Sequence, residues 1–536
     1  MATMNSISFR FPGGVGFAGA AIGEFVESYL SYDALQFTAK LEREFRERRR
    51  LLLRRRTEHQ MVFNVGKMPG FLPETEYIRS SYWRVASIPN RLLDRRVELV
   101  GPPEKETITA AVNSGANSYI ADFEDTASPT WHNILTGHVN LQEYIHGTSL
   151  TSPEGADRHT PEGGGILVMV CPRGWQAEEK HVLIDGRPIS ASLFDFGMFM
   201  FHNARELLSQ GAGPYFYLPK IESSLEASLW NDVFLMAQDE LDIPHGSIKA
   251  TAVIETVPAA FEINEILFVL REHCIGLACG KWNYVFSLLK KFRHHAEFIL
   301  PEYSRISTAT HFLHFLSLLV IQTGHKRGAH AIGGIATLPH YTGGESRDEI
   351  AARIYSEITG NAEDGCDGTM VLNPESALAT KAAFDSTISG PNQLHRKRSE
   401  LHITSQDLLT VHKGETTEEG FRRNFLDALH YIAAWLNGNG TVVSPEGSIY
   451  HTATAEIARS QLWQWLHHGR KFWGGVKGGE ADYYRHLAQE EYQKINKGEV
   501  GSLSVNYAMA KRILEQLVLD KNFVDFFTTT AYQYLD

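Results

Sequence analysis

Cysteine is scarce in this chain. Its 536 residues hold four, Cys171, Cys274, Cys279 and Cys366, and no two form a Cys-x-x-Cys pair. So few thiols exclude a disulfide scaffold and point to a reducing, intracellular compartment. Long apolar runs are missing as well. No uninterrupted stretch approaches the roughly 18 residues of a membrane span, and no charged segment followed by an apolar one opens the chain as a leader would. Net positive charge is absent: 51 Lys and Arg against 63 Asp and Glu leave −12. That removes the electrostatic case for a nucleic-acid partner. There is no internal repeat and no low-complexity tract. What remains, 43% hydrophobic and 21% charged residues, is the composition of a cytoplasmic globular protein. It is long enough for a large core and more than one structural unit.

One local charge excess stands out. The segment from Arg43 to Arg56 carries Arg48-Arg49-Arg50 and Arg54-Arg55-Arg56, with Glu42, Glu44 and Glu47 interleaved and Leu51, Leu52 and Leu53 between the triplets. Acids and bases three and four apart predict a salt-bridged amphipathic helix rather than a phosphate patch. The glycine-rich start, Pro12-Gly13-Gly14-Val15-Gly16, has no strand before it, which argues against a phosphate loop.

Short apolar runs recur through the middle: Val97–Pro102, Ser118–Phe123, Ile166–Cys171, Tyr215–Pro219, Ala250–Ile254, Ile275–Cys279, Gly328–Gly333 and Thr369–Leu372. Several contain Val, Ile or Tyr and stop at Gly, Pro or a polar residue, as buried parallel strands do. Helical patterns lie between them at Glu104–Ser114, Leu193–Gln210, Ser223–Glu240 and Ala259–His273. Strand and helix in alternation predict a parallel α/β fold. The pattern alone gives seven to nine units, the range of a (β/α)8 barrel. The first ninety residues read as helices, residues 386–397 as a linker, and the chain from about 405 onward as helical. Ser405, Thr416 and Thr417 are helix starts there, with Glu418 and Glu419 in the following turn.

A barrel of this kind places its chemistry at the C-terminal ends of its strands. Those ends carry Glu124 and Asp125, Cys171 and Arg173, Lys220, Glu255, Asn283, Gly333-Gly334 and Asn373-Pro374. Only Asp122-Phe123-Glu124-Asp125 and Glu255 are acidic. Carboxylates gathered there suit a hard divalent cation; equally, they cap helices or pair with Lys220 and Arg173.

Many segments, in order, resemble malate synthase of the shorter, single-barrel type. They include Asp94-Arg95-Arg96-Val97-Glu98, Ala121-Asp122-Phe123-Glu124-Asp125, Gly213 to Lys220, Ile254-Glu255-Thr256, His325-Lys326-Arg327-Gly328, Asp367-Gly368-Thr369, Thr417-Glu418-Glu419-Gly420 and Thr454-Ala455-Glu456-Ile457. Most telling is Gly276-Leu277-Ala278-Cys279-Gly280-Lys281-Trp282-Asn283-Tyr284-Val285-Phe286. It is similar to the family's signature Gly-Leu-Asn-Cys-Gly-Arg-Trp-Asp-Tyr-Ile-Phe. The resemblance implies a (β/α)8 barrel over residues 91–390, an N-terminal helical clasp over 1–90 and a C-terminal helical plug over 391–536. It also sets the strand count at eight.

The resemblance further implies a chemistry: condensation of acetyl-CoA with glyoxylate, then hydrolysis of the malyl thioester. A Glu and an Asp hold magnesium, an Arg stabilises the developing charge, and an Asp on the plug is the base. Here the metal Glu is Glu255, but the metal Asp is Asn283. The Arg position, first in the family's Arg-x-Arg-Gly, is Cys171 in Cys171-Pro172-Arg173-Gly174. The base is His451, three residues before Thr454. The signature's Asn and Arg are Ala278 and Lys281. Three of four chemical positions differ while the framework is kept.

Each departure has its own reading. Asn283 removes a formal negative charge, leaving a weak or absent magnesium site at Glu255. A thiol at 171 cannot replace a guanidinium; Arg173 is a candidate rescue, sharing a strand face with it. His451 is a competent base by type, or simply fills the space of an Asp. Cys171 with His451 suggests a thiolate–imidazolium pair, against a buried thiol beside a neutral ring. The pocket is expected to include Gly280, Lys281, Trp282, Asn283, Glu124, Asp125, Lys220, Arg173, Asn373 and Pro374. A CoA thioester is open as substrate, although Met370 and Asn373 depart from the residues common near the CoA site. The C-terminal Tyr-Gln-Tyr-Leu-Asp does not match the peroxisomal tripeptide of many eukaryotic relatives.

The leading expectation is a repurposed enzyme with no dedicated metal. It would act on an acyl thioester or a bulkier, polyketide-like carbonyl compound in a specialised pathway, by cyclisation, acid–base work or hydrolysis. The alternatives are an active Claisen-type acyltransferase with His451 as base, and a non-catalytic binding protein. A small-molecule partner and a monomer or small homo-oligomer are expected throughout.

Overall fold

The computed structural model describes residues 11–19, 29–148, 165–307, 309–335, 347–443, 449–469, 479–496 and 506–536. Eight parallel strands close into a barrel in sequential order. They are β1 (Val97–Gly101), β2 (Ser118–Asp122), β3 (Leu167–Cys171), β4 (Tyr215–Leu218), β5 (Lys249–Ile254), β6 (Cys274–Cys279), β7 (His330–Gly333) and β8 (Gly368–Val371). Each matches a predicted apolar run to within two residues. The reason is the one expected: strands covered on both faces are apolar along their whole length. The registers run continuously round the barrel, from Glu98 beside Ser118 to Met370 beside Glu98.

Two sequence readings need correction. The segment 259–273 is not one helix: it divides into Val257–Phe261 and Ile263–Val269. The break falls at Glu262, whose carboxylate is held by the backbone N and the hydroxyl of Ser224 at 2.8 and 2.7 Å. The glycine-rich start is not purely helical either. Val15–Phe17 forms a strand antiparallel to Glu178–Ile184, the first arm of a hairpin that Arg187–Ser190 completes. Gly14, at φ +79°, makes the turn; a Cβ there would collide with Asp185.

Helix α1 (Tyr32–Asn64) carries the arginine run. Its charges are spent largely across the interface to the barrel. Arg56 forks onto Glu226 at 2.6 and 2.7 Å, Arg43 onto Asp185 at 2.8 and 2.9 Å, and Arg49 onto the Trp175 and Ala177 carbonyls. At the other end α2 (Lys281–Lys291) follows β6. Helices α3 (Glu418–Leu436) and α4 (Thr452–His467) belong to the C-terminal helical part, and α4 packs against α2. Thr417 caps α3, as expected, accepting from Gly420 N at 3.0 Å. No described helix is long and apolar enough to cross a membrane.

A buried ion pair organises the barrel interior. Arg95 donates to both oxygens of Glu98 (2.9 and 3.1 Å), to Tyr217 Oη and to Thr251 Oγ1, both at 2.9 Å. Gly276 makes room for it: a Cβ there would lie 2.6 Å from the guanidinium. Removing one member strands the other charge, at a cost of about 3–5 kcal/mol. Arg95→Met is therefore expected to lower the thermal midpoint sharply. The double variant Arg95→Met/Glu98→Leu should recover most of the loss in the same melt.

Candidate active site

Five strand ends and the start of α4 converge on one place. Asp122 closes β2 and Cys171 closes β3. Lys220 lies two residues beyond β4, Glu255 directly follows β5, and Asn283 stands in the first turn of α2. His451 is the N-cap of α4. Gly280 lets the β6–α2 turn close on Glu255, whose Cβ would be 2.3 Å from a side chain there. A cavity of 70 Å³ is lined by Asp122, Asp125, Cys171, Glu255, Asn283 and His451, among others. A second cavity, of 240 Å³, lies toward the C-terminal helices and shares Asp125 and Asn283 with the first.

The centre is an amide between two carboxylates. Asn283 Nδ2 donates to Asp125 Oδ2 at 2.7 Å and to Glu255 Oε2 at 2.8 Å. Two flanking acceptors fix which way the amide points. Lys220 Nζ donates to the same Asp125 oxygen at 2.7 Å and lies 3.6 Å from Glu255 Oε1. Its backbone N donates to Glu255 Oε1 at 2.6 Å. Lys220 itself sits at φ +54°, the left-handed region that non-glycine residues seldom adopt. Such strain is held only where the surroundings over-determine it.

The donor set is two carboxylates and an amide, with Asp125 Oδ1 buried and without a hydrogen-bond partner. Magnesium needs oxygen ligands turned toward it. Here Asn283 presents hydrogens to Asp125 and Glu255, and an ammonium already sits against Asp125.

The remaining acids are crowded. Burial, then the Asp125 charge, push Asp122 up to about 6. Burial, outweighing the nearby Lys220 charge and helped by a smaller repulsion from Asp125, pushes Glu124 up to about 7. Glu124 accepts from Gly174 N and Gln176 Nε2, both at 2.7 Å. Two carboxyls able to exchange protons near neutral pH are the groups here best matched to acid–base work. Lys220 is held protonated, because Asp125, Glu255 and Glu124 outweigh the cost of its burial.

Cys171 and His451 do not form an ion pair. Burial, then Asp122, Glu124 and Glu255, push the thiol up, so it is neutral. His451 accepts from Ala453 N at 3.3 Å through Nδ1. That bond needs a lone pair on Nδ1, so the proton is on Nε2. Burial lowers its pKa, and the helix N-terminus disfavours a cation. In this geometry His451 is a neutral donor, and acting as a base would cost the cap.

Arg173 is not a substitute for the missing guanidinium. Its Nε and Nη2 fork onto Asp195 at 2.9 and 2.8 Å, and Nη1 reaches Glu179 at 2.8 Å. Lys281 runs past Gly334 to donate to Asn361 Oδ1 at 3.2 Å, on a helix outside the barrel. Trp282 lines the smaller cavity, whereas Asn373 and Pro374 line neither. The Asn373 side chain is used locally, accepting from Glu375 N at 2.9 Å. Sequence reasoning missed the aromatic wall supplied by Phe286, Trp435 and Phe526; only Phe286 lies in a motif, at the end of the Gly276–Phe286 segment.

The crowding of Glu124 has a consequence for stability. A carboxyl whose folded pKa lies above its unfolded value contributes stability at acid pH and loses it as pH rises through the folded pKa, here about 7. Glu124→Gln removes the ionised form, and Gln176 can turn its unpartnered Oε1 toward the new amide. The variant is expected to gain on the order of 1–3 kcal/mol at pH 8 and almost nothing at pH 5. Thermal melts at the two pH values check it.

Three family descriptions match the chain in order: the malate synthase N-terminal domain over residues 29–77, its TIM barrel domain over 167–411 and its C-terminal domain over 415–535. Malate synthase of Myxococcus xanthus is 44% identical over 95% of this chain and 94% of its own length. The bifunctional glyoxylate cycle protein of Caenorhabditis elegans is 41% identical over 95% of this chain and 53% of its own. Malate synthase A of Escherichia coli is 36% identical over 96% and 97%. With the closed eight-stranded barrel and its helical flanks, these likenesses show that the chain belongs to the malate synthase family.

Proposed function

We propose that this family member uses the inherited pocket for a reaction other than magnesium-assisted condensation of acetyl-CoA with glyoxylate. Its substrate is an acyl thioester or a bulkier carbonyl compound, and the step is a cyclisation, an acid–base rearrangement or a hydrolysis. One observation carries the reading: Asn283 donates hydrogens to Asp125 Oδ2 and Glu255 Oε2 and Lys220 Nζ donates to the same Asp125 oxygen, so internal donors already serve both carboxylates and only Asp125 Oδ1 is left over. The loss of fixed positive charge at Cys171 supports it, since an oxyanion formed there meets a neutral thiol. His451, as a donor through Nε2, and the protonatable pair Asp122 and Glu124 supply hydrogen bonding and proton transfer. Lys220 supplies the positive charge.

A second reading is ordinary malate synthesis, and it is favoured by the 44% identity to a relative named malate synthase. In that reading magnesium binds weakly at Glu255, Asn283 turns its oxygen inward, and His451 takes the methyl proton at the expense of its cap. Acetyl-CoA, glyoxylate and magnesium, followed by release of free CoA, separate the two. We expect a rate at least about 10³-fold below that of the Myxococcus protein, since single losses of charge-stabilising groups already cost 10²–10³. A comparable rate overturns the first reading. A ligand held without any turnover replaces it with a binding role.

A further inference from the structure

Two cavities meet at Asp125 and Asn283, and they differ in kind. The smaller one, 70 Å³ around Cys171 and His451, holds about two waters at liquid density. The larger one, 240 Å³, holds about eight. That is room for a bicyclic body rather than a two-carbon unit. Its walls are Phe123, Phe286, Trp435 and Phe526 on the apolar side, and the lid is the segment from Phe526 to Tyr532. Lys220 lines this chamber and not the smaller one.

The charges around the chamber select against anions. Glu124, Asp125, Glu178 and Glu456 contribute to its lining, against two cations. Glu456 is paired with Arg459, Glu178 with Arg49 and Asp125 with Lys220, so the lining offers an incoming anion no unpaired guanidinium. Arg173 is bound to Asp195 and Glu179, so it has no charge to spare for a ligand. Lys220 carries three donors, of which one is taken by Asp125 at 2.7 Å and a second lies toward Glu255 at 3.6 Å. The third is left for a neutral acceptor. A protonated lysine hydrogen-bonds a carbonyl and does not add to it, so no covalent step is implied. A phosphate or carboxylate would enter an apolar-walled chamber whose only guanidinium, that of Arg173, is already committed.

We propose that the substrate body occupies this larger chamber and is an uncharged aromatic or polycyclic carbonyl compound, with its carbonyl oxygen on Lys220 Nζ. The inference rests on the functional reading above and names its substrate class. It places the reacting carbonyl on the Lys220 side of Asn283, away from Cys171.

The test uses 2-acetylnaphthalene as a neutral probe and 2-naphthoate as its anionic counterpart, with the full-length chain and calorimetric or fluorescence titration. The neutral probe is expected to bind at micromolar concentration, and the anion at least tenfold more weakly. Thr528→Trp, on the half-buried lid face, should fill the chamber and weaken the neutral probe at least tenfold. Val253→Leu, which narrows only the smaller cavity, should leave it unchanged. Lys220→Met should weaken the ketone but not naphthalene itself; because it leaves Asp125 and Glu255 uncompensated, its fold is checked by circular dichroism, and Thr528→Trp stands if it fails to fold. Equal binding of the anion, binding insensitive to Thr528→Trp, or no binding of the neutral probe overturns the chamber assignment and leaves the functional reading intact. Release of CoA from acetyl-CoA and glyoxylate at the relatives' rate overturns the functional reading itself.

Discussion

One hydrogen-bonded bridge decides what this site can do. Two carboxylates, Asp125 and Glu255, face each other across the mouth of the barrel, and the amide of Asn283 stands between them with both hydrogens engaged. With a carboxylate in place of that amide, the three acids would demand a cation. With the amide, the charge left over is met by Lys220, which is itself fixed by a left-handed backbone and by its N–H on Glu255. Both carboxylates are met by internal donors, and one buried oxygen, Asp125 Oδ1, is left without a partner.

The rest of the pocket follows from that neutralisation. Lys220 only partly offsets the burial of the other acids, so Asp122 and Glu124 are driven toward neutral pH by burial and by Asp125. The same acids keep the Cys171 thiol protonated, which removes the most reactive reading of that residue. His451 is drawn into the helix start and loses the lone pair a base would use. The barrel meanwhile spends buried polar residues on itself: Arg95 on Glu98, Arg173 on Asp195 and Glu179. The scaffold is that of the family, and the fixed positive charge of the pocket is centred on Lys220.

The scaffold was plainly legible in the sequence, and the roles much less so. All eight strands are visible as apolar runs because both faces of each are covered. The break at Glu262 and the hairpin from Glu178 to Ser190 were not, because each depends on a partner distant in the chain, Ser224 in one case and Val15–Phe17 in the other. The composition of the site was readable from strand ends: Glu124, Asp125, Cys171, Lys220, Glu255 and Asn283 all converge there. Their states were not. A histidine's residue type suggests a base; only the bond from Ala453 N assigns its proton. Arg173 is expected from the sequence to share a strand face with Cys171, yet β3 ends at Cys171 and the Arg173 guanidinium is committed to Asp195 and Glu179. The aromatic chamber depends on Phe526, 240 residues from Phe286, and no local pattern could announce it.

The central claim is that three side chains, and not the framework, separate this chain from metal-assisted condensation. The triple variant Cys171→Arg/Asn283→Asp/His451→Asp puts that to the most direct test, assayed with acetyl-CoA, glyoxylate and magnesium. The account predicts that kcat/KM rises by at least about 10³ over the unmodified protein, with magnesium now required. An unmodified protein already as active as the variant, with the same magnesium dependence, would contradict it.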